Sequence, residues 1–286
     1  MLQTIRATHP KLLRDLKIIY DAEAVFALRE IRRAEVFGRP YSSELAERMI
    51  RNEMQLAEDA ETIATVSEAE AHAFRKSGFP DVRLVTHALP IRPHPNPFLE
   101  RNGFLFVGRL KENDSPNVDS VLWFALKVMP LLREHLGDAL HIDIAGDIRG
   151  SLLEGLSDPQ IRFHGVVEDL ADLYGKARVF IAPTRFSAGV PLKIYEAAAH
   201  GLPVVATDLL ANQLGWAHNR ELLAATTVEA FAQYCVLLHN DADLWPRLRS
   251  GALSRMQADH SEHDFERAAC ALLHANSART ADPLAD

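Results

Sequence analysis

Hydrophobic and polar positions along this chain switch repeatedly between the period of a buried strand and that of an amphipathic helix. Lys17-Ile-Ile-Tyr20 reads as a short strand, and Ala22 to Val36 follows with apolar residues at helical spacing among many Arg and Glu. A second helix is predicted from Ser43 to about Glu58. Thr62-Ile-Ala-Thr-Val66 has the pattern of a buried strand, and Ser67 with Glu70 is a capping box that opens another helix. Val82 to His87 reads as a further strand.

Between Leu89 and Asn102 four prolines, at 90, 93, 95 and 97, interrupt all periodicity, the signature of a stiff linker. The predicted organisation is an amino-terminal α/β domain over 1–89, a Pro-rich linker over 90–102 and a second domain over 103–286. In the second domain the predicted strands are Phe104 to Val107, Leu140 to Ala145, Ile161 to Phe163, Val179 to Ala182 and Val204 to Thr207. Helices fall at Asn117 to Glu134, near Leu152, at Asp169 to Lys176 and at Leu192 to His200, and Val228 to Leu273 reads as helical. Such alternation implies a doubly wound parallel sheet with right-handed crossovers. Ligands in these sheets bind beyond the carboxyl ends of the strands, so that edge is where chemistry is expected.

Composition narrows the class. The 286 residues are 48% hydrophobic, ample for buried cores, and the formal charge of −8 argues against a general nucleic-acid binder. Cys235 and Cys270 stand far apart without metal-ligand spacing, which fits a reducing cytoplasm and gives no reason to expect a disulfide or metal site. No run is long enough for a membrane span, and Met1 to Tyr20 lacks a signal-peptide core.

Two stretches carry candidate chemistry. Gly108-Arg109 follows a strand directly and precedes a helix introduced by Ser115-Pro116-Asn117; glycine permits a tight turn, and the guanidinium offers a permanent charge with phosphate-matching geometry. Alone, this pair reads as a surface Arg in a loop. The second stretch, Pro183 to Val205, joins strand, glycine-containing loop, helix and next strand. A loop of that kind feeding a helix amino terminus offers backbone N–H groups and the positive dipole end to an anion. Lys193 and Glu196 lie three residues apart on that helix and share a face. They suit a phosphate and sugar hydroxyls respectively, or else form an ordinary helical charge pair.

From Gly103 to about Trp216 the sequence resembles the donor domain of family-4 (group 1) retaining glycosyltransferases of the GT-B fold. Those carry a Gly-Arg turn, and later a motif of two Glu separated by seven residues before a Gly-x-Pro-Val-Val strand. Glu196, Gly201-Leu-Pro-Val-Val205 and Gly165-Val-Val-Glu-Asp-Leu170 match parts of that pattern in order. The resemblance implies a doubly wound donor domain beside a partial amino-terminal domain, and a nucleoside-diphosphate sugar as donor. It assigns diphosphate contact to Arg109, ribose contact to Glu196 and base contact to the backbone at Val166. Gly108, Ala188, Gly189, Val190 and Leu192 complete the expected donor site, and Lys193 joins Arg109 as the candidate catalytic cation.

Departures qualify the match. Ala188 stands where the family has its first Glu, Pro191 where a second Gly is common, and Ser115 where a phosphate-binding Lys is expected. Lys111 and Lys193 are the remaining nearby cations. The early part of the family's amino-terminal domain has no counterpart, so a homodimer through 1–89 and weak activity of the chain alone are expected. The predicted activity is retaining, metal-independent sugar transfer to an unknown glycan, lipid or small-molecule acceptor, without cofactor. The alternatives are a nucleotide-sugar-binding module or partner subunit inactive alone, and a sugar-nucleotide epimerase of similar fold. Asp241-Ala-Asp243 and His260-Ser-Glu-His263-Asp264 read as helix starts rather than metal sites, His141 and His164 as packed or hydrogen-bonded side chains, and Leu122, Trp123 and Phe124 as core.

Overall fold

A computed structural model describes residues 8, 16–149 and 151–274. The chain divides into two compact units, one comprising 1–87 with 263–286 and the other 88–262.

In the first unit, strand β1 (Ile19–Ala22) leads through helices α1 (Phe26–Val36) and α2 (Ser43–Met54) to β2 (Thr62–Thr65). Helix α3 (Glu68–Lys76) then leads to β3 (Val82–Leu84). The three strands are parallel in the order β1-β2-β3. Ser67 caps α3 as its sequence implies, its Oγ accepting from the Glu70 N–H at 3.3 Å. Glu70 itself is buried and accepts from the Ser67 hydroxyl and from the Val25 N–H, so the acidic half of the capping box also fixes the start of α1.

The second unit contains β4 (Phe104–Val107), α4 (Pro116–Trp123), α5 (Met129–Leu136), β5 (Ile142–Ala145), β6 (Ile161–Gly165), α6 (Ala171–Lys176) and β7 (Val179–Ala182). It continues with α7 (Leu192–Ala199), β8 (Val204–Thr207), α8 (Asp208–Leu214), β9 (Leu223–Ala225), α9 (Val228–Asn240) and α10 (Leu244–Asp259). Its six strands are all parallel, in the order β6-β5-β4-β7-β8-β9. The order reverses between β4 and β7, which makes that junction the topological switch point of a doubly wound sheet.

Side-chain alternation explains why both faces are covered. Phe104, Phe106, Val179 and Ile181 point into one core with Val121, Phe124 and Phe231, whereas Leu105, Phe180 and Ala182 point into another with Ile194 and Leu210. Central parallel strands buried on both faces need near-continuous apolar sequence, which these strands have.

Four features differ from the sequence-based expectation. The helix predicted from 117 to 134 is interrupted by a π-turn at Phe124–Val128, just ahead of Pro130, which lacks an N–H and whose ring excludes a regular preceding turn. Strand β9 and helix α8 are additional elements; α8 ends on Gly215, in the left-handed region at φ 65°. The Pro-rich stretch is built into the second unit instead of spanning freely between domains. Arg92 and His94 donate backbone N–H bonds to Ala199 and His200 at 3.0 Å each, and fully buried Arg101 binds the carbonyls of Asn96, Tyr174 and Ala177. Finally, helix α11 (Glu262–His274), assigned from sequence to the donor domain, lies mostly in the first unit, where Lys17 and Arg83 donate to the carbonyls of Leu272 and Ala271 near its end.

Candidate functional site

The carboxyl ends of β4, β5 and β6 are drawn together by backbone alone. The Gly108 N–H donates to Ala145 O at 3.0 Å, and Gly146 N–H to Gly165 O at 2.8 Å. Gly146 has φ 143°, and a Cβ built there would lie 1.9 Å from the Gly108 carbonyl oxygen. No side chain fits between these turns. This close approach aligns Gly108-Arg109 and Gly165-Val166 along one edge of the sheet.

Arg109 is exposed, and its guanidinium has no hydrogen bond or ion pair among the described residues. Its main-chain carbonyl is held by Asn117 Nδ2 at 3.0 Å. The other atom of the same amide, Oδ1, accepts from the Lys193 ammonium. Asn117 lies in the first turn of α4 and Lys193 in the first turn of α7, so one side chain ties the β4 turn to the helix that follows β7. The Lys193 ammonium also sits 4.7 Å from the centroid of the buried Phe106 ring. Desolvation lowers its pKa to about 8.

The loop from β7 to α7 is fixed at several points. Thr207 Oγ1 donates to Thr184 O at 2.6 Å, and Ser187 and Gln213 exchange bonds of 2.9 and 3.2 Å. Arg185 forms a two-pronged ion pair with Asp119 of α4. Ala188, Gly189 and Val190 are half-buried, with Gly189 at φ 76°, and Leu192, the first residue of α7, is exposed.

One turn after Lys193, Glu196 reaches the surface, and its carboxylate accepts from the hydroxyl of buried Tyr174 at 3.4 Å. Burial of the carboxyl raises the Glu196 pKa, partly offset by that bond. Tyr174 stacks on His200 with ring centroids 4.5 Å apart, and its own pKa is raised by burial and by the Glu196 carboxylate. Val166, an apolar side chain just beyond β6, is 74% exposed.

The expected residues therefore gather along one strand edge, with Arg109 and Lys193 linked through Asn117. Lys111 differs: it is held by Asp147 at 2.7 Å, leaving Lys193 as the better-placed second cation. Sequence reasoning missed Asn117 and Tyr174 as supports of the site. The first was legible only as a helix start, and the second only as an apolar helix position. Asp241 accepts from the N–H groups of Asp243 and Leu244 at 2.9 and 2.8 Å, as a helix start should, and His260 packs on Tyr195 at 4.0 Å between ring centroids. His164 bonds to Asp143 at 2.6 Å and His141 is half-buried beside the same carboxylate, so both serve structural contacts.

Two cations and a helix amino terminus at the switch point of a doubly wound parallel sheet are the arrangement in which α/β folds place ligands. Residues 101–241, just under half of the chain, match the family model described as "Glycosyl transferases group 1". Solved structures show the same GT-B architecture. A TarM variant from S. aureus, in complex with fondaparinux, alpha-GlcNAc-glycerol and UDP, superposes with a TM-score of 0.71 at 13% identity, covering 94% of this chain and 54% of that one. HepE of Anabaena, in complex with UDP and glucose, gives 0.65 at 16% identity over 91% of this chain and 72% of that one. Sucrose-phosphate synthase from Thermosynechococcus elongatus gives 0.67 at 16% identity, with 96% and 76% covered. In sequence, an uncharacterised 44.6 kDa protein of the cps region of Klebsiella pneumoniae is 25% identical over 165 residues, 54% of this chain and 42% of that protein. The chain thus spans about half the length of TarM and less of the Klebsiella protein.

Proposed function

We propose that this chain binds a nucleoside-diphosphate sugar at the β4–β7 switch point and transfers the sugar, with retention of configuration and without a metal, to a glycan, lipid or small-molecule acceptor. The observation that carries this reading is that an exposed Arg109 guanidinium, without a partner among the described residues, and the Lys193 ammonium at the start of α7 both lie beyond strand ends and are linked through Asn117. Departure of the nucleoside diphosphate builds negative charge on its phosphates in the transition state. Two cations and a helix amino terminus already in place stabilise that charge with little reorganisation. Glu196 would accept from the ribose hydroxyls, Val166 would lie against the base, and Gly108, Ala188, Gly189, Val190 and Leu192 would line the diphosphate and sugar.

The presence of UDP in the TarM and HepE complexes makes UDP the first nucleotide to try. Thermal unfolding with a panel of nucleoside diphosphates and their sugars tests binding, since a ligand selective for the folded state raises Tm. No stabilisation by any of them defeats the reading. Product NMR would establish retention, and turnover unaffected by EDTA would establish metal independence.

The small first unit, with three parallel strands among the described residues, favours a second reading as a nucleotide-sugar-binding module or partner subunit of a cytoplasmic transferase. Phe26, about half exposed, supports a homodimer through 1–89. Donor binding without turnover on any acceptor would select the module. Sedimentation of the full chain as a monomer at micromolar concentration would dismiss the dimer.

A further inference from the structure

Building on the proposed donor site, we infer that Asn117 is a positioning residue that holds the Lys193 ammonium charged and aimed at the diphosphate, and couples it to the Gly108-Arg109 turn. The inference rests on geometry. Asn117 uses both ends of one amide, donating Nδ2 to the Arg109 carbonyl at 3.0 Å and accepting from Lys193 Nζ at Oδ1. Because a primary amide is planar and rigid, fixing one end fixes the other. The side chain is itself confined: a Cβ built on Gly108 would lie 3.1 Å from Asn117 Cγ, so a larger residue at 108 would displace the amide.

The other charged groups around this lysine are already engaged. Arg185 from the β7–α7 loop is paired with Asp119 of α4, Glu196 on α7 bonds to Tyr174, and Lys111 beyond β4 is paired with Asp147. Arg109, at the end of β4, is a cation and offers no acceptor. Among the described residues Lys193 therefore has no carboxylate hydrogen-bonded to it, and the Phe106 ring and the Asn117 amide oxygen face it. Burial works against the charged form, lowering the pKa to about 8, whereas a hydrogen bond from the ammonium to the amide oxygen favours that form. A neutral acceptor suits a phosphate-binding lysine, because a carboxylate in its place would compete with the phosphate for the same charge.

Two substitutions preserve the branched outline of Asn117 while changing its polarity. Asn117→Leu removes both hydrogen bonds, and Asn117→Asp keeps a now anionic acceptor for Lys193 while losing the Nδ2 donor to the Arg109 carbonyl. The measurement is the titration of Lys193, followed through its 13Cε resonance in the ligand-free full chain, with UDP affinity against pH as a second readout. The lysine midpoint is expected to fall below the wild-type value in Asn117→Leu and to rise above it in Asn117→Asp. At neutral pH, Asn117→Leu is expected to weaken UDP binding about tenfold or more. A purely structural role would not move the midpoint in opposite directions. Midpoints unchanged in both variants, or shifted the same way, overturn the inference. Should wild-type protein fail to bind UDP, the donor-site reading falls, while the ligand-free titration still decides whether Asn117 controls Lys193.

Discussion

Arg101 and Arg109 stand just outside opposite ends of strand β4, and the same side chain serves different ends at each. Arg101, beyond the amino end, is fully buried. It donates to four main-chain carbonyls, those of Asn96, Tyr174, Ala177 and His94, and lies 5.1 Å from the Trp245 ring. Burial lowers its pKa only to about 10, so it stays charged at neutral pH. Arg249 reaches the same His94 carbonyl at 2.7 Å, and the two guanidiniums pin the proline-rich segment to the sheet. Arg109, beyond the carboxyl end, has nothing for its guanidinium to hold among the described residues. In an open parallel sheet the amino edge can be spent on stability, while the carboxyl edge keeps unsatisfied charge for a ligand. Partners and burial, rather than residue type, separate the two arginines.

The largest expected effect falls on stability. Arg101→Met keeps the aliphatic stem but leaves buried carbonyls without donors, and should cost about 3–5 kcal/mol in chemical denaturation. A loss below about 1 kcal/mol would erase the distinction between the two edges. Gly146→Ala is expected to destabilise by about 2–4 kcal/mol and to disturb the β4 turn, because its Cβ would collide with the Gly108 carbonyl at a φ of 143°. Wild-type stability and nucleotide affinity in that variant would show that the three strand ends are not locked as described.

Lys193 provides a comparison within one side chain. Its pKa is about 8 in the folded chain and near the ordinary lysine value when unfolded, so between these the unfolded state binds more protons. Its contribution to stability therefore rises with pH from about 8 upward, as deprotonation relieves the desolvation cost. Affinity for a nucleoside diphosphate should move the opposite way, falling as pH rises through about 8, since only the ammonium attracts phosphate. Denaturation and calorimetry across that range would expose the opposed slopes, and an affinity flat with pH would remove Lys193 from the site. The smallest effect is expected at Lys111. Because Asp147 already holds it at 2.7 Å on a solvated surface, Lys111→Ala should alter nucleotide affinity less than about threefold, and a loss as large as that of Arg109→Ala would reverse their assigned roles.

Much of this was legible because local pattern and tertiary need agree in the central strands. Phe104–Val107, Val179–Ala182 and Val204–Thr207 read as strands from apolar content alone, since the parallel sheet buries both their faces. Strand β9 was missed because Leu223-Ala-Ala225 is short and its alanines carry no β preference; its pairing with β8 decides it. The proline-rich stretch misled for a related reason. Its prolines mark an extended chain correctly, but what anchors that chain is the bonding of Arg101 to the distant carbonyls of Tyr174 and Ala177, and of the distant Arg249 to the His94 carbonyl. At the candidate site, Gly108, Arg109, Lys193 and Glu196 lie at strand and helix ends, but it was the family resemblance that singled them out. Asn117 did not stand out, because a residue that couples two such ends has no local signature. Only the crossover geometry brings its two partners together.

The central claim is that the free guanidinium at the carboxyl end of β4 is there for a diphosphate. Calorimetric titration of UDP into the full chain and into Arg109→Ala at neutral pH and moderate salt tests it most directly. Arg109→Ala is expected to weaken binding by about 1–3 kcal/mol, the range for a charged hydrogen bond, while leaving stability within about 0.5 kcal/mol of wild type. Equal affinity in the two proteins, or lost affinity accompanied by an equally large loss of stability, would contradict it.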